Sequence, residues 1–340
     1  MRIAFIPPAF TPYQDDSHFS TLFLCQQIGE YFKWSGIDVT ILGLMGSGSS
    51  LFDVESFDGQ AQPSILVHGE YVTGDGLSGI VDAAIRGLSS GQYAGVINFG
   101  HDALPYSVEH PAFLNVVTFS KGMSCAVDAS IVGNLGRFGF LSKAQAASYG
   151  VSNSEPLLCP VQTSTQSASI GCERLMYAGR VCKTKGILNA VKVMKKTGLP
   201  LVVAGHEEDA SDLRTAITSG ATYLGCLERS KLHQKMRTST ALLQLQACDI
   251  QEAFGMVTAE ALCAGLPVLT WDCGANTELV DESNGVVVQP GDLDAAASSI
   301  QIVSSWGFQK REGIRRAAIS KYSLPNVGER YLKWFTIHTK

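Results

Sequence analysis

The sequence predicts an α/β protein made of two Rossmann-like halves, and three observations predict it. Short strand-like runs alternate with stretches of helical period. Those runs are mostly small or β-branched apolar residues without strict alternation, as expected of parallel strands covered on both faces. The pattern also stops in a polar segment near the middle of the chain and then begins again. With 340 residues, 45% of them hydrophobic, the chain has material for two cores of this kind.

In the first half the strand-like runs are RIAFI, DVTIL, AGVINF, NVVTF, ASIVG and RFGFL, mostly small or β-branched residues ending near turn formers. Between several of them lie helical stretches such as STLFLCQQIGEYFKWSG. The second half restarts with LMYAGR, PLVVAG, ATYLG, ALLQLQ, PVLTW and GVVVQP, separated by helical segments that include KGILNAVKVMKKTG and MVTAEALCAG. The segment between the halves, SNSEPLLCPVQTSTQSASIGCE, is rich in Ser, Thr and Pro, follows neither period, and reads as an interdomain linker. The boundaries expected are an N-terminal domain over 1–160, a C-terminal domain over 170–322 and a closing helix over 323–340. No repeat of solenoid length interrupts this plan.

Charge and composition narrow the function. Lys and Arg number 26 against 31 Asp and Glu, a net of −5 with no long basic run, which argues against nucleic acid as a partner. The longest apolar stretches, such as ALCAGLPVL, fall well short of the roughly 20 residues a bilayer crossing needs, so no transmembrane segment is expected. The opening MRIAFIPPAF has one basic residue and an apolar run broken by Pro7 and Pro8, and reads as a mature cytoplasmic start. Nine cysteines without a CxxC pair suit reduced thiols better than a disulfide framework or a zinc site.

One short stretch carries chemistry. In EAFGMVTAE, Glu252 and Glu260 stand eight positions apart. ALLQLQ reads as a strand, the residues up to Gly255 as the loop at its carboxyl end, and VTAEALCA as a helix that stops at Gly265. In open α/β sheets such a loop is where ligands bind. Both carboxylates could then reach one ligand lying across the helix start, where the N–H groups of Gly255, Met256 and Val257 suit a phosphate. An isolated pair of this spacing is ordinarily surface charge, so the surrounding sequence decides its meaning.

That sequence, EAFGMVTAEALCAGLPVLTWDCGANTELVDESNGVVVQPGD, resembles the signature region of retaining glycosyltransferases of GT-B architecture, notably glycosyltransferase family four (glycosyl transferases group 1). The likeness continues upstream in YAGRVCKTKG, VVAGHEED and YLGCLERSKLHQKM, and downstream in KYSLPNVGERYLKWF, so it runs from about residue 174 to the end. In the first half it is carried mainly by FLSKAQAASYG. The resemblance implies two Rossmann-like domains with a cleft between them and a last helix that crosses back to the N-terminal domain. It implies an enzyme that moves a hexose-type sugar from a UDP- or GDP-sugar donor, with retention and without a metal or other cofactor, to a sugar, lipid-linked or small-molecule acceptor. Arg180 and Lys185 would hold the donor diphosphate, Glu260 the ribose hydroxyls and Glu252 the donor sugar. Gly205, Leu227, Phe254, Gly255, Met256 and Val257 would complete the donor site. Fixed cations at a departing diphosphate make chemical sense, because negative charge grows there as the glycosidic bond breaks.

Remaining motifs point less sharply. GSGSSL at 46–51 lacks the third glycine of a dinucleotide fingerprint and reads as a flexible loop. Asp292 and Asp294 form a D-L-D, but PGDLDAAASS reads as a helix start with an acidic cap. His101, just past AGVINF, is a candidate acid/base or acceptor-orienting group and equally a structural histidine. Three departures from the family pattern stand out: a first loop reading PPAFTPYQDDSHFS, Ser120 where a histidine is expected, and Leu245 and Gln246 in place of a proline and a serine. Two rivals keep the same donor groups, namely a nucleotide-sugar epimerase and a non-catalytic nucleotide-sugar-binding protein. A dinucleotide-dependent oxidoreductase lacks its glycine fingerprint.

Overall fold

A computed structural model describes the chain except for residues 18, 60–75, 101–102, 120–136, 164–165, 171–172, 249–251 and 340. The chain forms two compact units, one of Met1–Pro160 with Leu324–Lys340 and the other of Val161–Ser323. Among the described residues each carries a six-stranded sheet in which every pairing is parallel. Among the described residues no helix is long and apolar enough to cross a membrane.

In the first unit the elements are β1 (Arg2–Ile6), α1 (Ser20–Trp34), β2 (Asp38–Leu44), β3 (Asp53–Phe57), α2 (Gly76–Ser89), β4 (Val96–Asn98), α3 (Ala103–Tyr106), β5 (Phe113–Val117), β6 (Phe138–Phe140) and α4 (Lys143–Ser148). Their sheet order is β3-β2-β1-β4-β5-β6, with β1 in register with β2 at Ile3 opposite Val39 and with β4 at Phe5 opposite Ile97. The inner strands are buried almost end to end, which is why they read as mostly apolar runs. β3 is the exception. Its DVESF is mostly exposed, because an edge strand needs little apolar surface, and its polarity hides it from an apolar-run reading. NVVTF is also displaced, since the strand runs from Phe113 to Val117. The ASIVG run lies outside the described residues.

The GSGSSL segment, expected to be flexible, is tied down. Asp15 accepts from Ser49 Oγ at 2.7 Å, from the Ser50 N–H at 2.7 Å and from Ser50 Oγ at 3.0 Å, and Ser47 Oγ accepts from the Tyr13 N–H at 2.9 Å. The C-terminal helix, Leu324–His338, belongs to this first unit and buries Val327, Gly328, Tyr331 and Phe335 there. Phe335 meets Phe32 edge to face at 5.7 Å, Tyr331 stacks on Phe99 at 6.4 Å, and Tyr31 Oη donates to Glu329 at 2.8 Å.

In the second unit the order is β7 (Leu175–Ala178), a 3-10 turn (Lys183–Lys185), α5 (Ile187–Thr197), β8 (Leu201–Ala204), α6 (Ala210–Thr218), β9 (Thr222–Tyr223), α7 (Arg229–Arg237), β10 (Ala241–Gln244), α8 (Met256–Cys263), β11 (Val268–Trp271), α9 (Asn276–Leu279), β12 (Gly285–Val288), α10 (Leu293–Ser304) and α11 (Phe308–Tyr322). The sheet order is β12-β11-β10-β7-β8-β9. Its core gathers Leu175, Tyr177, Val203, Leu243 and Leu269 with Ile187, Val191 and Ile300 from the covering helices. Truncating a fully buried residue such as Leu243 to Ala would cost about 2–5 kcal/mol. The segment read as a polar linker is partly built in. Leu157, Leu158, Cys159, Val161 and Ala168 are buried, and the Ala168 N–H donates to Glu312 at 2.9 Å. Asp292 is a helix cap as expected, accepting from the Ala295 N–H at 2.9 Å, and Asp294 meets Lys196 at 2.6 Å.

Candidate functional site

The strand order of the second unit locates a site before any side chain is considered. From β7 the sheet grows one way through β8 and β9, and from its neighbour β10 the other way through β11 and β12. The carboxyl ends of β7 and β10 therefore flank the switch point, where an open parallel sheet leaves a crevice between diverging loops. The loop after β7 holds Arg180 and Lys185, and the loop after β10 holds Glu252.

Backbone contacts lock these two loops together. The Ala247 N–H donates to the Thr184 carbonyl at 2.9 Å, and Asn189 Nδ2 donates to the Leu245 carbonyl at 3.0 Å. Gly186, between Lys185 and α5, has φ +85°, and a Cβ there would lie 2.1 Å from the Leu245 carbonyl oxygen, so only glycine fits both the turn and the approach. The result is a direct contact between two of the predicted residues. Lys185 Nζ donates to Glu252 Oε1, with both side chains about three-quarters buried.

The other predicted residues are placed as follows. Arg180 follows β7, but its guanidinium pairs with Glu208, from the segment after β8, and both groups are largely exposed. Gly205 ends β8, donating its N–H to the Gly225 carbonyl at 2.9 Å and accepting from Tyr223 Oη at 2.8 Å. Leu227 is half-buried in the turn between β9 and α7. Phe254 is buried against Tyr322, with ring centroids 5.9 Å apart, so its ring serves the core of this unit. Gly255 precedes α8, whose start no described side chain caps, and Met256 and Val257 form its half-buried first turn. The Met256 N–H is taken by the Phe254 carbonyl at 3.2 Å, and the helix dipole with the other first-turn N–H groups at that end favours an anion. His101, with Ser120, lies outside the described residues.

Glu260 is not an exposed helix charge. It is 3% accessible, and its Oε1 accepts from Arg229 Nη1. Burial pushes its carboxyl pKa up, and the Arg229 cation pulls it back toward the ionised form. Sequence reasoning missed Arg229 and Glu208, since nothing in their spacing announces partners 31 and 28 residues away. It also missed the polar layer beneath α8. Thr258 Oγ1 donates to Asn276 Oδ1 at 2.9 Å, while Gln246 Oε1 accepts from Asn276 Nδ2 at 3.0 Å and from Gln244 Nε2 at 3.0 Å. The Gly255 backbone lies so close to this layer that a Cβ would sit 2.3 Å from Asn276 Oδ1. Gln246 thus fills the place expected for a serine by reaching across to α9.

Residues 171–321 match the family Glycosyl transferases group 1. The chain is 28% identical over 180 residues to the GDP-mannose:cellobiosyl-diphosphopolyprenol alpha-mannosyltransferase of Xanthomonas oryzae, covering 49% of this chain and 47% of that one. It is 26% identical over 176 residues to an uncharacterized glycosyltransferase of Methanocaldococcus jannaschii, covering 48% of this chain and 44% of the relative. The chain thus spans about half the length of the curated relatives it matches. Among solved structures, a sucrose-phosphate synthase from Thermosynechococcus elongatus superposes with TM-score 0.77 at 14% identity, covering 99% of this chain and 98% of the other. Anabaena HepE in complex with UDP-glucose superposes with TM-score 0.69 at 14% identity, covering 99% and 100%. The fold is that of the GT-B glycosyltransferases.

Proposed function

We propose that the protein is a retaining glycosyltransferase that moves a hexose-type sugar from a UDP- or GDP-sugar to a hydroxyl-bearing acceptor, a reading supported by the match of residues 171–321 to Glycosyl transferases group 1 and by the GT-B fold. The observation that carries this reading is the meeting of Lys185 and Glu252 at the carboxyl ends of β7 and β10. A nucleotide-sugar has a diphosphate beside a sugar ring, and here a cation stands beside a carboxylate with an uncapped helix start next in sequence.

In this account Lys185, the first-turn N–H groups of α8 and Arg180 receive the diphosphate, and Glu252 faces the sugar. As the bond between anomeric carbon and phosphate oxygen breaks, charge accumulates on the β-phosphate. Cations already in place stabilise it without reorganisation. The acceptor oxygen then bonds the anomeric carbon on the face the diphosphate leaves, and its proton passes to the departing β-phosphate oxygen. Glu260 accepts from the ribose hydroxyls, and Gly205 and Leu227 border the base. No metal is required of this scheme, because the chain's own cations and N–H groups serve the diphosphate.

The acceptor is a sugar, a lipid-linked sugar or a small molecule. The test is to incubate the protein with nucleotide-sugars labelled in the hexose and to separate the products. A glycosyltransferase releases nucleoside diphosphate and leaves the label on acceptor or, slowly, on water. An epimerised nucleotide-sugar, or intact donor that binds without turnover, would refute the assignment.

A further inference from the structure

The Arg229–Glu260 pair is unusual in both members. Arg229 is the first residue of α7, where a cation faces the positive end of the helix dipole, so its position does nothing for the helix it begins. Its side chain is 20% accessible and that of Glu260 4%, so a carboxylate of α8 has been taken out of water with one cation to answer it. A buried pair of this kind repays its desolvation poorly as a stabilising device. Among the described residues the hydrogen bond from Arg229 Nη1 occupies Oε1 of Glu260, while Oε2 accepts none.

One turn along α7, His233 is buried with Nε2 lacking a partner among the described residues. Burial and the nearby Arg229 charge keep it neutral at physiological pH. It therefore adds no second cation beside the pair, and among the described residues Glu260 has one charged partner.

We infer that Arg229 is a positioning residue for the nucleotide: its ion pair fixes the Glu260 carboxylate through one oxygen and leaves the other to accept the ribose hydroxyls. The inference rests on the proposed function, which makes Glu260 the ribose ligand. It adds what that assignment lacks, a reason why so buried a carboxylate is charged and aimed. A carboxylate anchored at Oε1 loses less freedom when a hydroxyl approaches Oε2, and its charge roughly doubles the strength of the hydrogen bond it accepts.

The experiment uses the full chain and measures dissociation constants for UDP and GDP and for their 2′- and 3′-deoxy counterparts, with melting temperatures recorded in parallel. The wild type is expected to bind the preferred ribonucleotide at least about tenfold more tightly than its deoxy forms, a difference of about 1.4 kcal/mol. Arg229→Ala is expected to bring that ratio to within about twofold, and Arg229→Lys to recover a substantial part of it. If the Ala variant is too unstable to assay, Arg229→Gln serves the same comparison. A variant that melts lower but keeps the full ribo-to-deoxy ratio shows that Arg229 only joins two helices, and overturns the inference alone. A wild type that binds nucleotide but does not distinguish ribose from deoxyribose removes Glu260 as the ribose ligand, and the inference falls with it.

Discussion

Lys185 and Glu252, 67 residues apart in sequence, are joined Nζ to Oε1 at the switch point of the second sheet. In this arrangement each neutralises the other. Under the proposed function, a diphosphate that claims the lysine would loosen it from the glutamate and leave the carboxylate free to face the sugar. Binding and the readiness of the carboxylate are therefore coupled.

The coupling has a measurable consequence in Glu252→Gln. With the charge removed, Lys185 is no longer held by a carboxylate, so nucleoside diphosphate should bind as tightly as to the wild type or several-fold more tightly. Turnover should fall by about a hundredfold or more, because the carboxylate is lost where the sugar develops positive charge. Titration calorimetry and initial rates read the two effects separately. Weaker nucleotide binding with unchanged turnover contradicts this role.

Arg180 stands in a different position. It is largely exposed and paired with an exposed glutamate, Glu208, so exchanging that partner for phosphate costs little. Arg180→Ala should lower kcat/KM by about two to three orders of magnitude while leaving the melting temperature within a degree or two. Glu208→Ala, which only frees the guanidinium, should leave kcat/KM within a few-fold of wild type. Near-normal rates in Arg180→Ala sink the assignment.

Activity should survive chelation. The D-L-D that most resembles a metal motif is committed elsewhere, Asp292 to the cap of α10 and Asp294 to Lys196. Rates measured with excess EDTA should stay within about twofold of those in magnesium, consistent with cationic side chains serving the diphosphate. A loss of an order of magnitude, restored by a divalent ion, contradicts the metal-independent scheme.

Acid should destabilise the fold in two stages. Burial holds His233 down to about 4 from 6.5, with the Arg229 charge adding to the effect. The unfolded chain takes this proton first, so the associated stability is present above pH 6.5 and lost as pH falls toward 4. The hydrogen bond from Arg315 is the main cause that holds Glu312 down to about 2 from 4.5; burial opposes it, and the Ala168 N–H and Arg316 reinforce it. That contribution is present above pH 4.5 and lost between 4.5 and 2. Melting temperatures against pH should therefore decline in both windows, and Glu312→Gln should flatten the lower one while costing about 2 kcal/mol at neutral pH. A flat profile from pH 7 to 3 contradicts both assignments.

Much of this arrangement is legible in the chain because buried parallel strands and helix starts write local signals. LMYA and LVVA are unbroken apolar strings, and ALLQ and VLTW nearly so, because both faces of their sheet are covered, and Asp292 announces a cap from its own neighbourhood. β3 escapes because an exposed edge strand obeys no such pattern. GSGSSL looks flexible because its partner, Asp15, lies 35 residues upstream of Ser50. The burial of Glu260 and its cation are not legible because Arg229 lies 31 residues upstream, and the role of Gln246 is not because its hydrogen-bond partner Asn276 is 30 residues away. Composition and period report on a residue's own element. Contacts between elements report on the site.

The central claim is that the loops after β7 and β10 form the donor diphosphate site, and titrating the full chain with UDP-glucose, GDP-mannose, UDP and GDP tests it most directly. The account predicts that at least one nucleotide-sugar and its nucleoside diphosphate bind the wild type with dissociation constants of roughly 1 mM or below. It further predicts that the Arg180→Ala, Lys185→Ala double variant, still folded by its melting curve, binds the same ligands at least about a hundredfold more weakly, with each single variant in between. Equal affinity in the wild type and the folded double variant would contradict it.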